Sequence, residues 1–305
     1  MVKPNFFIIG APKSATSALQ TYLSEHQSVY MVKPEEPNFY ATEFRNPHNI
    51  GSEEEYLKRF FHGAKGSHVA VGEKSTWYLY SKNAVKNIND AYPDARYIAI
   101  LRNPVELAYS LHSELLYTEQ EDIEDFWEAW NAQEDRRNGR NIPKTLKIDH
   151  KMLLYSDVCR LGEQVKRVLN EVPSDKVMFV LYDDFRNDTR SVYKSVLSFL
   201  GVEDDNRESF DRVNQNKVIR SRFIDRMLKP DNFFVDIAGK VKETFGIKRL
   251  GIGGLLLKIN YKFNTATPKR NSLPDEVKYE LIEYFKDDIN ELSKLIGRNI
   301  DHWLK

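Results

Sequence analysis

Short apolar runs alternate with segments of helical periodicity along this chain of 305 residues. The apolar runs are rich in β-branched and aromatic residues, which favours buried strands, and they cover residues 6–9, 69–71, 97–101 and 177–181. Apolar residues recur at helical spacing in segments 16–25, 105–116, 123–131, 157–170, 191–200 and 275–295. Because short strands separated by helices pair in parallel, we predict a three-layer α/β/α fold with a central parallel sheet.

The first predicted strand leads into a tight turn and then into a helix. The turn contains one lysine, Lys13, and three hydroxyl side chains. The N–H groups at a helix N-terminus are unpaired and carry partial positive charge, so a phosphate placed there gains several donors. The pattern therefore predicts a phosphate-binding loop of the P-loop type, formed by Gly10, Pro12, Lys13, Ser14, Ala15, Thr16 and Ser17.

The spacing of this loop differs from that of nucleotide triphosphatases. Their loop runs glycine, four residues, then Gly-Lys-Ser/Thr, whereas Lys13 follows Gly10 by three positions and no second glycine precedes it. The usual hydroxyl ligand for magnesium is therefore misplaced. The loop instead resembles the 5′-phosphosulfate loop of sulfotransferases, which use 3′-phosphoadenosine 5′-phosphosulfate (PAPS).

A second anion-binding signal follows the predicted strand 97–101. Arg102 and Pro104 lie at the strand-to-helix junction, and Ser110 follows on the helix. This arrangement resembles the 3′-phosphate element of the same family, which implies that Arg102 and Ser110 bind the 3′-phosphate. Near the C-terminus, Lys269 and Arg270 resemble the basic loop that closes over the 3′-phosphate and adenosine.

A third match concerns the general base. Segment 33–40, Lys-Pro-Glu-Glu-Pro-Asn-Phe-Tyr, is similar to a segment of heparan-sulfate-type and bacterial sulfotransferases in which a glutamate precedes two aromatic residues by three positions. The resemblance implies that Glu36 removes the acceptor proton, a role that needs a carboxylate within hydrogen-bond reach. Glu35 is the neighbouring alternative, and His68 or His112 could be a base of the kind used by the cytosolic branch.

The fourth match is Gly72-Glu-Lys-Ser-Thr-Trp-Tyr78, which resembles the family's Glu-Lys-Ser/Thr segment. The resemblance implies that Lys74 lies close to the transferring sulfuryl group. Glu73 could hold Lys74 in place or be a second carboxylate at the acceptor. We expect Trp77, Tyr78 and Tyr80 to be core or wall residues, although they would also suit a carbohydrate or aromatic acceptor.

Composition excludes several other classes of protein. The chain carries 45 basic and 45 acidic residues, and a net charge of zero argues against a general nucleic-acid binder. Cys159 is the only cysteine, which excludes an intrachain disulfide and a cysteine metal cluster. The histidine spacing predicts no metal site. No apolar stretch is long enough for a transmembrane segment, so we expect a soluble, cytoplasmic protein.

Together the motifs predict one PAPS-dependent sulfotransferase domain over residues 1–305, with an insertion around 230–267 that carries acceptor specificity. The reaction would be transfer of a sulfuryl group to a hydroxyl or amine of a carbohydrate, lipid, acyl chain or small alcohol, with no metal required. Two alternatives stay open: a P-loop kinase of a small metabolite, which would need magnesium, and a non-catalytic module that binds a nucleotide or a glycan.

Overall fold

The computed structural model describes residues 1–45, 48–211 and 272–305, together with the backbone of two short strands at 218–219 and 265–266. The chain divides into two compact units, one formed by Met1–Asn214 with Leu273–Lys305 and the other by Gln215–Ser272. The predicted specificity insertion, 230–267, falls in the second unit. Apart from Thr265 and Ala266 it lies outside the described residues, and its role stays a prediction.

The first unit is built on a five-stranded parallel sheet, which confirms the predicted α/β fold. Its strands are β1 Phe6–Gly10, β2 Val29–Met31, β3 Ala70–Lys74, β4 Arg96–Leu101 and β5 Val177–Leu181. They lie in the order β2-β3-β1-β4-β5, and every neighbouring pair is parallel. In the second unit, β6 Val218–Ile219 and β7 Thr265–Ala266 pair antiparallel.

Helices cover both faces of the sheet and produce the predicted three layers. Successive side chains of a strand point to opposite faces, so Phe7 and Ile9 belong to one apolar core while Phe6 and Ile8 belong to the other. In the first unit the helices, numbered in chain order, are α1 Thr16–Ser24, α2 Glu53–Phe60, α3 Ala84–Ala91, α4 Pro104–Tyr117, α5 Phe126–Asn131, α6 Gln133–Arg137, α7 Tyr155–Val158, α8 Leu161–Glu171, α9 Tyr182–Asn187, α10 Thr189–Leu200 and α11 Asp275–Ile296.

Two helix predictions need correction. The helix predicted at 157–170 is split into α7 and α8 at Cys159. The helix predicted at 123–131 begins only at Phe126, because the Asp125 side chain accepts a hydrogen bond from the Glu128 N–H and caps the first turn. No helix in the described ranges combines the length and apolarity needed to cross a membrane.

The parallel topology gathers the predicted chemical groups at one edge of the sheet. β1 ends at Gly10, β3 ends at Lys74, and β4 is followed directly by Arg102. In open α/β sheets, ligands bind at the carboxyl ends of the strands. The sheet therefore places the first, second and fourth sequence motifs at the same edge.

Candidate active site

The loop between β1 and α1 presents backbone donors at a helix N-terminus. In the described part of the chain, the amide N–H groups of residues 14–17 donate to no backbone carbonyl. Ala15 precedes α1 with φ 63° and ψ 15°, and Lys13 has φ 58°. Left-handed backbone costs a non-glycine residue about 1 to 2 kcal/mol, and such residues cluster at functional sites. The loop thus keeps its unpaired donors without the glycines that usually provide such turns.

Gly10 is the one loop position where a side chain cannot fit. Its φ is +151°, and an added Cβ would lie 2.8 Å from Leu79 Cβ and 2.9 Å from the Thr76 carbonyl oxygen. The Leu79 N–H donates to the Ile9 carbonyl at 2.8 Å. The chain after β3 therefore packs directly against the phosphate-binding loop.

Lys74 joins this loop to the predicted general base. Its Nζ lies 2.7 Å from Glu36 Oε1 and donates to Ser17 Oγ at 3.1 Å. Glu36 Oε2 accepts hydrogen bonds from the Thr76 N–H at 3.0 Å and from Thr76 Oγ1 at 2.9 Å. The Lys74 side chain is 5 % exposed and that of Glu36 is 28 % exposed. The structure thus brings three separately predicted motifs into one cluster, with both carboxylate oxygens of Glu36 fixed.

Arg102 lies beside the same loop. Its Nη1 donates to the Lys13 carbonyl at 2.8 Å, its Nη2 lies 3.0 Å from Glu106 Oε2, and its guanidinium stacks over the Tyr182 ring at 4.5 Å. The two predicted anion-binding elements are therefore adjacent in space, so that one ligand could contact both.

Helix α4 contributes polar side chains next to these cations. Ser110 is buried on α4, and Lys13 Nζ lies 2.7 Å from Glu114 Oε2. Glu106, Ser110 and Glu114 follow one another at intervals of four, so they share one face of the helix. Sequence reasoning missed Glu106 and Glu114, because neither belongs to a recognised motif.

The other candidate bases lie outside the Glu36 cluster. Glu35 is half exposed and pairs with Arg59 at 3.3 Å. His68 precedes β3, at the opposite end of the strand from Lys74, and its Nδ1 accepts from the Lys65 N–H at 2.9 Å. His112 is buried, with Nε2 2.9 Å from the Ile123 carbonyl oxygen. Glu36, in contrast, reaches the phosphate-binding loop through Lys74.

Glu73 takes neither of the two predicted positions. It points to the opposite face of β3 from Lys74 and is fully buried. Its carboxylate accepts from Tyr56 Oη at 2.8 Å, Tyr78 Oη at 2.9 Å and Ser75 Oγ at 2.6 Å. Burial raises the pKa of Glu73 to about 7 and outweighs these hydrogen bonds, which lower it, while the nearby Glu36 carboxylate raises it further.

The aromatic residues after β3 are buried or partly buried, as expected for residues that form a wall. Tyr78 is fully buried, whereas Trp77 and Tyr80 are partly exposed. Tyr80 stacks on Phe44 with ring centroids 5.7 Å apart. Both rings line a cleft of about 550 Å³ whose other walls include five basic side chains, those of Lys82, Arg137, Lys151, Arg160 and Arg167.

Two further predictions concern the late basic loop and the absence of a metal site. Lys269 and Arg270 lie outside the described residues. Within the described ranges, no group of three or more histidine, cysteine, aspartate or glutamate side chains is placed to hold a metal ion.

Known proteins are similar to much of this sequence. Residues 3–222 match the model of the sulfotransferase domain family. The chain is 28 % identical over 209 residues to the human bifunctional heparan sulfate N-deacetylase/N-sulfotransferase 3, a match that covers 65 % of this chain and 22 % of that protein. The mouse bifunctional heparan sulfate N-deacetylase/N-sulfotransferase 4 is 28 % identical over 203 residues, with the same coverage. This chain therefore spans about a fifth of the length of the curated relatives it matches.

A solved structure extends the similarity to the whole chain. The crystal structure of a sulfotransferase from Alicyclobacillus acidocaldarius superposes with a TM-score of 0.71 and 26 % sequence identity, covering 100 % of both chains. The family match runs from just before β1 past the end of α10, so it includes the loop, Glu36, Lys74 and Arg102. This chain belongs to the sulfotransferase domain family.

Proposed function

We propose that this chain transfers a sulfuryl group from PAPS to a hydroxyl or amine of an acceptor, with Glu36 as the general base. The observation that carries the proposal is the position of Lys74, whose ammonium contacts both the Glu36 carboxylate and Ser17 of the phosphate-binding loop. A base and an anion-binding loop that share one cation are adjacent, as transfer between two bound substrates requires.

The residues present fit a ligand with phosphate groups at two positions. The unpaired amides of residues 14–17 and Lys13 suit a 5′-phosphosulfate, while Arg102 and Ser110 suit a 3′-phosphate beside it. Lys269 and Arg270 are assigned to the 3′-phosphate and adenosine on the resemblance alone. When bound, PAPS supplies the sulfuryl group and a leaving phosphate.

Proton removal and charge stabilisation are assigned to different side chains of the cluster. Glu36 accepts the proton of the acceptor, with Thr76 holding one carboxylate oxygen and Lys74 the other. Lys13, the loop amides and Lys74 stabilise the negative charge that develops on the bridging oxygen of the leaving phosphate. Because Lys74 contacts both Glu36 and the loop, its ammonium lies next to the carboxylate that gains a proton and next to the loop that would hold the leaving phosphate.

The acceptor class is proposed from the relatives. The curated relatives are named as heparan sulfate N-sulfotransferases, so an amine or hydroxyl of a glycan is the first acceptor to test. De-N-sulfated heparan oligosaccharides offer both groups, and p-nitrophenol offers a small hydroxyl.

Calorimetry with adenosine 3′,5′-bisphosphate (PAP) and ATP, each with and without magnesium, tests the cofactor. We expect PAP to bind more tightly than ATP and its affinity to be independent of magnesium. Tighter binding of ATP that requires magnesium would instead indicate a P-loop kinase. Transfer of labelled sulfate from PAPS onto the two acceptors, or onto a cell extract, then separates an enzyme from a non-catalytic binding module.

A further inference from the structure

We propose that Glu73 is a positioning residue that fixes the backbone of segment 38–40 through two hydroxyl relays and thereby holds Glu36 in place. The inference rests on the proposed role of Glu36. Glu73 itself touches no substrate, because its side chain is fully buried on the far side of β3 from Lys74.

Each relay connects a backbone N–H of the segment to one carboxylate oxygen of Glu73. The Asn38 N–H donates to Ser75 Oγ at 2.9 Å, and Ser75 Oγ donates to Glu73 Oε2 at 2.6 Å. The Tyr40 N–H donates to Tyr78 Oη at 3.3 Å, and Tyr78 Oη donates to Glu73 Oε1 at 2.9 Å. The two amides are two and four positions after Glu36.

The relays depend on an acceptor at Glu73. A hydroxyl group has one proton, and donating that proton to a carboxylate leaves the oxygen lone pairs to accept from a backbone N–H. An ionised carboxylate accepts hydrogen bonds and donates none, so both hydroxyl protons point toward Glu73. Hydrogen bonds to a buried carboxylate are also stronger than those between neutral groups. Glu73 therefore anchors two backbone N–H groups of the segment to the sheet.

Burial of this carboxylate is costly, which argues for a role. Among the described residues no lysine, arginine or histidine forms an ion pair with Glu73, and three hydroxyl groups are its hydrogen-bond partners. A buried acid without a cation destabilises the fold relative to an apolar residue of similar size. The geometry points to a compensating benefit at Glu36, since displacement of a reacting group by about 1 Å can lower a rate by about 100-fold.

Tyr56 provides a matched control. Tyr56 and Tyr78 are both fully buried, and both donate to Oε1 of Glu73, at 2.8 and 2.9 Å. Only Tyr78 also accepts from the segment, at the Tyr40 N–H. Tyr56→Phe and Tyr78→Phe therefore remove the same kind of hydrogen bond from the same oxygen, but only Tyr78→Phe breaks a relay.

Amide hydrogen exchange in the PAP-bound protein tests the relays without any acceptor. We expect exchange at Tyr40 to rise about fivefold or more in Tyr78→Phe, and exchange at Asn38 to rise similarly in Ser75→Ala. Tyr56→Phe should leave both amides unchanged. Unchanged exchange in the two relay variants, or equal increases in Tyr56→Phe and Tyr78→Phe, would overturn the proposal.

Kinetics of labelled sulfate transfer from PAPS to de-N-sulfated heparan oligosaccharides test the consequence for Glu36. We expect kcat to fall about 10- to 100-fold in Tyr78→Phe and Ser75→Ala, with KM for PAPS within about twofold and Tyr56→Phe close to wild type. If Glu36→Gln abolishes transfer while Tyr78→Phe behaves like Tyr56→Phe, the positioning role is wrong and the proposed function stands. If Glu36→Gln transfers normally, the assignment of Glu36 as the general base fails and the positioning role fails with it.

Discussion

Lys74 Nζ lies 2.7 Å from Glu36 Oε1, although the two residues belong to different motifs and to different segments of the chain. Glu36 follows β2, whereas Lys74 is the last residue of β3. The pairing of β2 with β3 brings the carboxyl ends of both strands together. This ion pair therefore depends on the sheet topology.

Removal of Lys74 should affect the rate more than cofactor affinity. Loss of one preorganised donor to developing charge costs about 100- to 1,000-fold in kcat, so we expect a fall of this size in Lys74→Ala. The loop amides and Lys13 remain, so PAP affinity should fall by less than about tenfold. Lys65→Ala, at an exposed position away from the cluster, is the control. A loss of PAP binding without a loss of kcat would assign Lys74 to binding alone.

Arg102→Ala should weaken PAP binding. Charge-assisted hydrogen bonds contribute about 1.5 to 3 kcal/mol, which corresponds to a loss of affinity of about 10- to 100-fold. Arg59→Ala is a suitable control because Arg59 also pairs with a glutamate, Glu35, but lies outside the cluster. Titration calorimetry measures the PAP affinity of both variants. Equal affinities in Arg102→Ala and Arg59→Ala would show that Arg102 does not bind the 3′-phosphate.

Because Glu114 pairs with Lys13, we expect it to compete with an anionic ligand for this cation. The ion pair spans 2.7 Å, and the Glu114 side chain is 43 % exposed, so it contributes at most about 1 kcal/mol. Glu114→Gln should therefore tighten PAP binding by about two- to fivefold. Glu163→Gln, which removes a more exposed carboxylate paired with Arg167 at 3.7 Å, should leave the affinity unchanged. Weaker PAP binding in Glu114→Gln would mean that this carboxylate supports the loop instead.

Glu73 should make the stability of the protein depend on pH near neutrality. Its pKa is raised by burial from an ordinary value of 4.5 to about 7 in the folded protein, so the folded state holds the proton more tightly than the unfolded chain. The stabilising contribution of the protonated form is fully present below pH 4.5 and is lost as pH rises through 7. The shift corresponds to a loss of about 3 kcal/mol in the free energy of unfolding.

A comparison of wild type with Glu73→Gln isolates this contribution. Glutamine does not ionise. Between pH 4.5 and pH 8, the free energy of unfolding measured in urea should therefore fall by about 3 kcal/mol more in wild type than in the variant. Other carboxylates titrate in both proteins and cancel in the difference. A difference that is constant with pH would show that Glu73 has the same pKa in the folded and unfolded states.

Sequence patterns predicted the features that depend on local order along the chain. Four of the five strands in the main sheet were predicted as apolar runs, and the unpaired amides of residues 14–17 follow from a strand, a turn and a helix in succession. The adjacency of the loop and Arg102 follows from the parallel sheet, because carboxyl ends of parallel strands meet at one edge.

Contacts between distant segments were not predictable in the same way. β2 has only three residues, too few to show a period. The environment of Glu73 depends on Tyr56, which lies on α2, a helix that the sequence analysis did not predict. The contact of Lys13 with Glu114 joins positions 101 residues apart, so the spacing of residues within either segment could not predict it.

The rate of labelled sulfate transfer from PAPS by Glu36→Gln, measured with its PAP affinity, tests the central claim most directly. Loss of a general base typically lowers a rate by about 100- to 10,000-fold. We predict a loss of this size while the affinity for PAP stays within about twofold of wild type, because Glu36 contacts the loop only through Lys74. Transfer at the wild-type rate by a folded Glu36→Gln protein that binds PAP normally would contradict the assignment of Glu36 as the base.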